Sequence, residues 1–414
     1  MNYTEFIYEN RRWLGGGFLL TLASCFGQTF FISLFSGELR ATFDLSHGQL
    51  GGLYTGATLA SALVLIWLGK TADWMQIPAL SAIVIGVFAA ACLLMASATS
   101  LVLLTLALFL LRLLGQGMLT HIAMTAMGRW FSAYRGRAVG VSSLGFSAGE
   151  AVLPFITIML IGAIGWRQVW LAAAALLALA ALPAIYLLFR VPRTPTAKPA
   201  EGMARYDNQR GVEDWTRRQV LADPVFYGLL PATLGPPFIS TGIFFHQIHL
   251  MDEKGWDISV FPAVFPFFAA STVITSLASG WAIDRWNSIV LLPVFLLPLG
   301  LGCLFLGLSD SSAMAGVFMV LLGVTIGAGQ TMSGSIWPEL YGVTHLGAIR
   351  ALMAAVMVFG TALAPGIVGW LLDIGVSMET QLLFMAAYTV AASGFLWYVM
   401  RVIQTARPSE AAAV

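Results

Sequence analysis

The chain has 414 residues, of which 58% are hydrophobic and only 10% charged, whereas an ordinary soluble domain has roughly 25% charged residues. This composition excludes an ordinary soluble domain and predicts a protein surrounded by lipid. The formal net charge is +1, so the chain has no basic excess for binding nucleic acid, and we expect no such partner.

Twelve apolar segments are long enough to cross a bilayer, whose core takes about 20 residues of helix. The first is too long for a signal-peptide core and lacks a clear cleavage site, so we expect it to stay as a span. The predicted limits are 13–36, 48–69, 78–98, 101–127, 137–160, 167–189, 225–248, 258–281, 289–308, 313–336, 346–371 and 380–400.

One long polar stretch, 190–223, separates the sixth and seventh segments and contains prolines at 192, 195 and 199. This composition predicts a linker between two halves of the chain. We therefore predict an N-terminal half, 1–189, and a C-terminal half, 224–414. Within the linker, 213–222 could form a short helix, either on the lipid surface or in solvent.

The positive charges predict the orientation of the spans. With the amino terminus inside, seventeen of the 21 Lys and Arg residues lie on the inner side. Arg40, Arg167 and Lys254 lie outside, and Arg112 alone is mid-span. The positive-inside rule then puts both termini in the cytoplasm. We expect an integral plasma-membrane protein, in the inner membrane of a bacterium.

The two halves match each other at one constant offset of 211 residues. Such an offset through several segments indicates an internal duplication. The matched pairs are Gly69 with Gly280, Asp73 with Asp284, Gly136 with Gly347, Gly149 with Gly360, and Pro154 with Pro365.

The segment after the second span, with Gly69, Ala72 and Asp73, resembles the loop motif of the major facilitator superfamily. The second copy, Gly280 to Arg285, keeps the arginine after Asp284 that the first copy lacks. The resemblance implies an all-α membrane protein with twelve transmembrane helices in two pseudo-symmetric six-helix bundles and a midplane substrate site. It also implies that Gly69, Asp73, Gly280, Asp284 and Arg285 form a conformational latch.

The fourth span resembles the arginine and glycine pattern of this superfamily through Arg112, Gly115, Gln116 and Gly117. A narrower resemblance follows in the run from Gly136 to Pro154, which is similar to the entry to the fifth span in monocarboxylate transporters and oxalate/formate antiporters. That branch typically has an arginine in the eighth span, yet 258–281 contains no charged residue.

Two charged residues lie deep within predicted spans, Arg112 in the fourth and Glu150 in the fifth. Each is costly there unless it is paired or hydrated. Their depths coincide, so we expect an ion pair or a water-bridged contact. Such a pair could be purely structural. Alternatively, Glu150 could carry a proton, and a substrate carboxylate could compete with it for the planar guanidinium group of Arg112.

Three histidines are further candidates for substrate binding or proton coupling. His121 follows Arg112 by two and a half helical turns and could titrate near neutrality or serve in packing. His246 and His249 lie three residues apart near the end of the seventh span, on one predicted helix face. They resemble half a metal site, but no further ligand completes one, and we expect no metal and no cofactor.

The polar side chains of Gln28, Tyr54 and Gln330 lie in otherwise apolar spans and could face the substrate cavity or a neighbouring helix. Glycines 136, 140, 145 and 149 recur at spacings that let helices approach closely in lipid.

We expect a monomeric secondary transporter that moves a small, monocarboxylate-like organic anion with proton symport or exchange. The alternative within transport is proton-driven efflux of amphipathic compounds. A membrane-embedded enzyme is less favoured because no catalytic constellation is visible, and a transporter-like receptor is less favoured because 401–414 is short for a signalling tail. We therefore expect no enzymatic activity.

Overall fold

The computed structural model describes residues 3–131, 134–191, 193, 214–286, 288–342 and 345–406. Regular structure within these ranges is helical throughout, and no strand occurs in them. The sequence explains this outcome, because an apolar segment in lipid satisfies its own backbone hydrogen bonds only as a helix or in a closed barrel.

Ten helices are long and apolar enough to cross a membrane. They correspond to the second to eighth and the tenth to twelfth predicted spans. Their bounds are His47–Leu68, Ile77–Ser97, Leu101–Trp130, Gly136–Ile164, Trp166–Phe189, Pro224–Phe245, Val260–Ile283, Ala313–Tyr341, Ala355–Asp373 and Met378–Thr405.

The first and ninth predicted spans are not single helices of this kind. The first consists of Thr4–Gly27 and Thr29–Phe43, bent by 44° at Gln28. The ninth was predicted as one helix over 289–308, but the structure has Ser288–Leu291, then turns, then Leu297–Leu308. Its sequence has prolines at 293 and 298, and proline removes a helical hydrogen bond and clashes with the preceding turn.

The described end of the linker contains a short helix, Arg217–Ala222. The side chains of Thr216 and Gln219 form a capping box at its start. Val220 is fully buried in a hydrophobic cluster of the C-terminal half. One side chain therefore docks this helix onto protein, while most of its remaining residues are exposed.

The chain divides into two compact units. The first comprises Met1–Ala200 and Phe244–Ile248, and the second comprises Glu201–Ile243 and His249–Val414. The segment Phe244–Ile248 groups with the first unit because its side chains pack there. The Gln247 amide donates to the Ser33 hydroxyl over 2.9 Å, and the Phe245 ring lies 4.6 Å from that of Tyr54.

Within the first unit, glycines hold the fifth helix against the first. A Cβ at Gly145 would overlap the carbonyl oxygen of Phe18, and one at Gly149 would overlap the sulfur of Cys25. The predicted packing role therefore holds for these two glycines. Gly136 and Gly140 have no neighbour within 4 Å of such a Cβ in the described part of the chain, so they do not mediate this close approach.

Within the second unit, the eighth and tenth helices approach each other in the same way. A Cβ at Gly323 would lie 2.7 Å from the carbonyl oxygen of Phe268, and one at Gly327 would lie 2.9 Å from the nitrogen of Ser276. Small residues thus let two helix backbones approach closely. In lipid, helix association depends on such close packing, because the hydrophobic driving force of soluble proteins is absent.

Candidate functional site

The break in the first span exposes a backbone carbonyl inside the first unit. Gln28 is extended, with φ −85° and ψ 156°, and the N–H of Phe31 donates to the carbonyl of Gln28. The carbonyl of Gly27 therefore loses its helical donor. Arg112 replaces it, because its Nη1 donates to this oxygen over 3.1 Å.

Two threonines complete the protein contacts of the Arg112 guanidinium. Nε donates to Thr58 Oγ1 over 3.2 Å, and Nη1 donates to Thr29 Oγ1 over 3.3 Å. The guanidinium carbon also lies 5.0 Å from the ring centroid of Tyr54, within the range of a cation–π interaction. Arg112 is only 2% exposed, so neutral groups hold a buried cation here.

The second terminal nitrogen of Arg112, Nη2, donates to no group in the described part of the chain. Thr29 also has an unused donor. Its Oγ1 accepts from Arg112 and, over 2.8 Å, from the Tyr54 hydroxyl, so its own O–H proton is free to donate. Unused donors from two helices thus converge on the break.

In the described ranges neither Arg112 nor Glu150 forms an ion pair, so the direct ion pair between them is wrong, while the water-bridged contact stays a prediction. Arg112 turns toward the break and the second span instead. Glu150 is buried, at 8% exposure. Equal depth on adjacent helices therefore does not by itself bring the two charged groups together.

A π-helical segment, Arg112–Leu119, interrupts the fourth span at this site. Such segments are rare and frequently occur at functional sites. Within it, a Cβ at Gly115 would lie 2.7 Å from the Cα of Gly27 and 2.6 Å from Cζ of Phe88. The glycine that follows Arg112 in the sequence pattern therefore lets the fourth span touch the break.

Sequence reasoning missed Gly27, Thr29 and Thr58 at this site. Gln28, which was selected, lies at the break and is 9% exposed. The available signal was that Gln28 and Thr29 are consecutive polar residues in an apolar span. Tyr54, also selected, is fully buried and contacts Arg112 as described.

His121 does not reach Arg112 but binds the end of the second span. Its Nε2 lies 3.1 Å from the carbonyl oxygen of Gly69. Since a carbonyl only accepts, Nε2 carries a proton in this contact. His121 is therefore hydrogen-bonded, as the packing interpretation required, and it links the fourth span to one residue of the predicted latch.

Of the other predicted latch residues, the side chains of Asp73 and Asp284 lie outside the described part of the structure. Gly280 faces the tenth span, since a Cβ there would lie 4.0 Å from Cγ2 of Thr331. Arg285 is exposed at the end of the eighth helix, and its guanidinium carbon lies 5.9 Å from the ring of Trp281.

The prediction that His246 and His249 share one helix face is wrong, because the seventh helix ends at Phe245 and a new one begins at Gln247. His246 lies at the break, 3% exposed, with its ring 5.8 Å from that of His47. His249 pairs instead with Glu253 over 3.3 Å. Among the described residues, no group of three or more His, Cys, Asp or Glu could hold a metal ion.

Gln330 belongs to a cavity in the second unit. The cavity has a volume of about 430 Å³ and is lined by the seventh, ninth, tenth and eleventh spans. None of the described residues that line it is charged. The Gln330 side chain is exposed and faces this space, as the sequence suggested for a cavity-facing amide.

Comparison with known proteins gives a consistent result. Monocarboxylate transporter 13 of Rattus norvegicus is 27% identical over 321 residues, which cover 75% of this chain and 71% of that protein. Monocarboxylate transporter 11 of Homo sapiens is 28% identical over 294 residues, covering 67% of this chain and 59% of that protein.

Solved structures share the fold at low identity. A bacterial homolog of the human lysosomal transporter Spinster, inward-facing and unoccupied, superposes with a TM-score of 0.75 at 17% identity, covering 97% of this chain and 99% of that one. The nucleoside transporter NupG gives a TM-score of 0.69 at 14% identity, covering 97% of this chain and 100% of that one.

The family model for the Major Facilitator Superfamily matches residues 17–365 and again 238–413. The protein is therefore a membrane transporter, not an enzyme, and belongs to the Major Facilitator Superfamily.

Proposed function

We propose that this transporter carries a small organic anion, of the monocarboxylate type, by proton symport or exchange. The observation that carries the proposal is Arg112: a cation inside a span, 2% exposed, with no carboxylate partner among the described residues. The names of two relatives, both monocarboxylate transporters, point to the same class of substrate.

The energetics of Arg112 favour an anionic ligand. An arginine at the centre of a transmembrane helix costs at least about 2.5–3.5 kcal/mol on insertion scales. Hydrogen bonds to Gly27, Thr29 and Thr58 satisfy three N–H groups, but neutral acceptors do not cancel the charge. A substrate carboxylate would supply that counter-charge on binding and leave with it on release.

The unused donors are of the kind that a carboxylate accepts from. Nη2 of Arg112 offers two N–H groups, and Thr29 offers its O–H. One carboxylate has two oxygens and roughly four acceptor positions. Because Nε and Nη1 are already bound to protein, the guanidinium is oriented before the substrate arrives, which lowers the entropy cost of binding.

Glu150 is the proposed proton carrier. It is buried in the fifth span and makes no hydrogen bond within the described chain, so it gains most by being neutral while it faces a dry environment. Since it does not pair with Arg112, the two residues can serve different ligands: Arg112 the anion and Glu150 the proton.

Alternating access of two six-helix halves is the transport cycle we propose, supported by the internal duplication and the family. We further propose cytoplasmic termini, supported by the charge bias, a bacterial inner-membrane location and a monomeric state. Efflux of amphipathic compounds stands as the alternative if carboxylates fail as substrates.

The test is uptake into proteoliposomes with an alkaline interior. A panel of labelled two- to four-carbon monocarboxylates is compared with the corresponding uncharged amides. The proposal predicts accumulation of at least one acid, driven by the pH gradient, and none of its amide. If none of the acids in the panel shows gradient-dependent uptake, the proposal is contradicted.

Glu150→Gln separates coupling from substrate binding. If Glu150 carries the proton, the variant loses uphill accumulation but still exchanges labelled for unlabelled substrate across the membrane. Exchange in the same vesicles is thus the internal control for folding and binding. Unchanged uphill uptake in this variant would assign the proton to another group.

A further inference from the structure

The short linker helix Arg217–Ala222 is fixed at the start of a membrane span. Its buried residue, Val220, belongs to the hydrophobic cluster of the second unit. Asp223 alone separates the helix from the seventh span, Pro224–Phe245, and its carboxylate accepts from the hydroxyl of Tyr341 over 2.9 Å. A helix that directly precedes a span lies at the level of the lipid headgroups.

The exposed face of this helix combines two arginines with one leucine. Successive residues of a helix are turned by about 100°, so Leu221 lies between Arg217 and Arg218 around the helix axis. All three side chains are exposed, Leu221 at 39%. Basic side chains beside exposed apolar ones are typical of helices that lie on a membrane surface.

The two arginines have no counter-charge within the described chain. Neither side chain forms an ion pair or a hydrogen bond there. The acidic residues that flank the helix have other contacts. Asp214 lies against Gly342, where an added Cβ would overlap its carboxylate, and Asp223 binds Tyr341. Two adjacent cations therefore face outward, and they are complementary to an anionic partner.

Tyr227 extends this exposed face into the first turns of the seventh span. It is 52% exposed, and its hydroxyl donates to the carbonyl of Leu221 over 2.9 Å, which places the phenol beside the end of the linker helix. Tyrosine is enriched at membrane–water interfaces, because its ring suits lipid and its hydroxyl suits the polar layer. Basic and apolar groups thus meet at one membrane depth, as an anionic headgroup and its acyl chains do.

We propose that Arg217, Arg218, Leu221 and Tyr227 form a binding site for an anionic phospholipid. The headgroup phosphate lies on the two guanidinium groups, which bind phosphate through paired N–H donors, and the glycerol and upper acyl chain lie against the leucine and the tyrosine. A zwitterionic lipid such as phosphatidylcholine brings its own cation to the phosphate, so the site selects a headgroup with net negative charge. The proposal does not rest on anion transport, because it uses no residue of the Arg112 site.

The experiment compares photoreactive phosphatidylglycerol with photoreactive phosphatidylcholine, each at low fraction in phosphatidylcholine proteoliposomes that contain the full chain. Each lipid has a diazirine near the glycerol end of one acyl chain. On irradiation the diazirine loses dinitrogen, and the resulting carbene inserts into a nearby C–H, N–H or O–H bond. Mass spectrometry then gives the ratio of phosphatidylglycerol to phosphatidylcholine labelling at 217–227 and at Leu179. Leu179, 78% exposed in the sixth span, is the reference residue for bulk lipid.

The expected preference follows from the two charges. A basic residue contributes roughly fivefold to binding at an anionic lipid surface, so the ratio at 217–227 should exceed that of the reference residue at least about tenfold. Arg217→Gln combined with Arg218→Gln should bring the two ratios within about twofold of each other. Arg11→Gln combined with Arg190→Gln removes the same charge from two exposed positions of the first unit and should leave the ratio at 217–227 unchanged.

Glycerol phosphate distinguishes a lipid site from a site for free phosphate. It has the phosphate and glycerol of the lipid but no acyl chain to contact Leu221 and Tyr227, so a large molar excess over the labelled lipid should leave the ratio unchanged. Equal ratios at 217–227 and Leu179 in the wild type would overturn the proposal. It would also fail if the ratio survived the double substitution at 217 and 218, fell equally in the control variant, or was abolished by glycerol phosphate.

Discussion

Replacing Gly115 by alanine tests the contact between the fourth span and the break in the first. The new Cβ would lie 2.7 Å from the Cα of Gly27 and 2.6 Å from Cζ of Phe88. Ordinary contacts begin at 3.4 Å, so the backbone of Gly27 must move by most of an ångström. Overpacking of this kind costs about 1–3 kcal/mol.

The displacement also acts on Arg112, whose Nη1 donates to the carbonyl of Gly27 over 3.1 Å. Losing a hydrogen bond to a charged group adds roughly 1.5–3 kcal/mol. Gly117→Ala is the matched control two residues away, because its Cβ would lie 3.3 Å from the flexible end of Leu65 and at an ordinary 3.5 Å from the Arg112 carbonyl oxygen. Both variants gain up to about 1 kcal/mol of helix propensity.

Thermal unfolding of the purified protein, followed by tryptophan fluorescence, measures the difference between the two variants. We expect Gly115→Ala to melt clearly below the wild type and Gly117→Ala to melt close to it. Equal melting temperatures for Gly115→Ala and the wild type would refute the claim that this glycine permits a necessary close approach.

Three further predictions concern single contacts. Thr58→Val keeps the side-chain shape but leaves Nε of Arg112 without its acceptor, so the free energy of unfolding should fall by roughly 1.5–3 kcal/mol. Thr105→Val is the control: it loses only a hydrogen bond within its own helix and should change the free energy of unfolding far less. Glu253→Ala should cost about 0.5–2 kcal/mol in a melting assay, because the carboxylate caps the first N–H groups of the twelfth span. His121→Phe should raise the hydrogen-exchange rate at the end of the second span, since it removes the bond to Gly69; unchanged exchange there would show that the contact does not stabilise that end.

Most of the fold follows from hydropathy alone. Ten of the predicted spans are apolar helices long enough to cross a membrane, because lipid leaves the backbone no other open-chain solution. The irregular ones illustrate the limit of that argument. Prolines near the ninth span explain its interruption, but in the first span a single extended residue, Gln28, breaks the helix, and the freed carbonyl of Gly27 is compensated by a residue of another helix.

The candidate site shows the same limit at the level of side chains. Sequence position identified Arg112 and Glu150 as buried charges, and both are buried. The sequence position could not predict their partners, because it gives the depth of a side chain in the membrane but not the rotation of its helix. That rotation decides which neighbouring helix the side chain faces. The π-helical turn at Arg112 changes that rotation locally, and a pattern based on 3.6 residues per turn does not anticipate it.

The central claim is that Arg112 is an unpaired buried cation that binds the carboxylate of the substrate, and equilibrium binding to Arg112→Gln tests it most directly. Because Arg112 balances no carboxylate in the described chain, its removal leaves no opposite charge exposed, and the variant should fold. A labelled monocarboxylate that binds the wild type, with its uncharged amide as control, is measured on both proteins. The account predicts that the variant binds the acid at least about tenfold more weakly and no longer distinguishes it from the amide. Equal affinity of the wild type and a folded Arg112→Gln variant for the acid would contradict it.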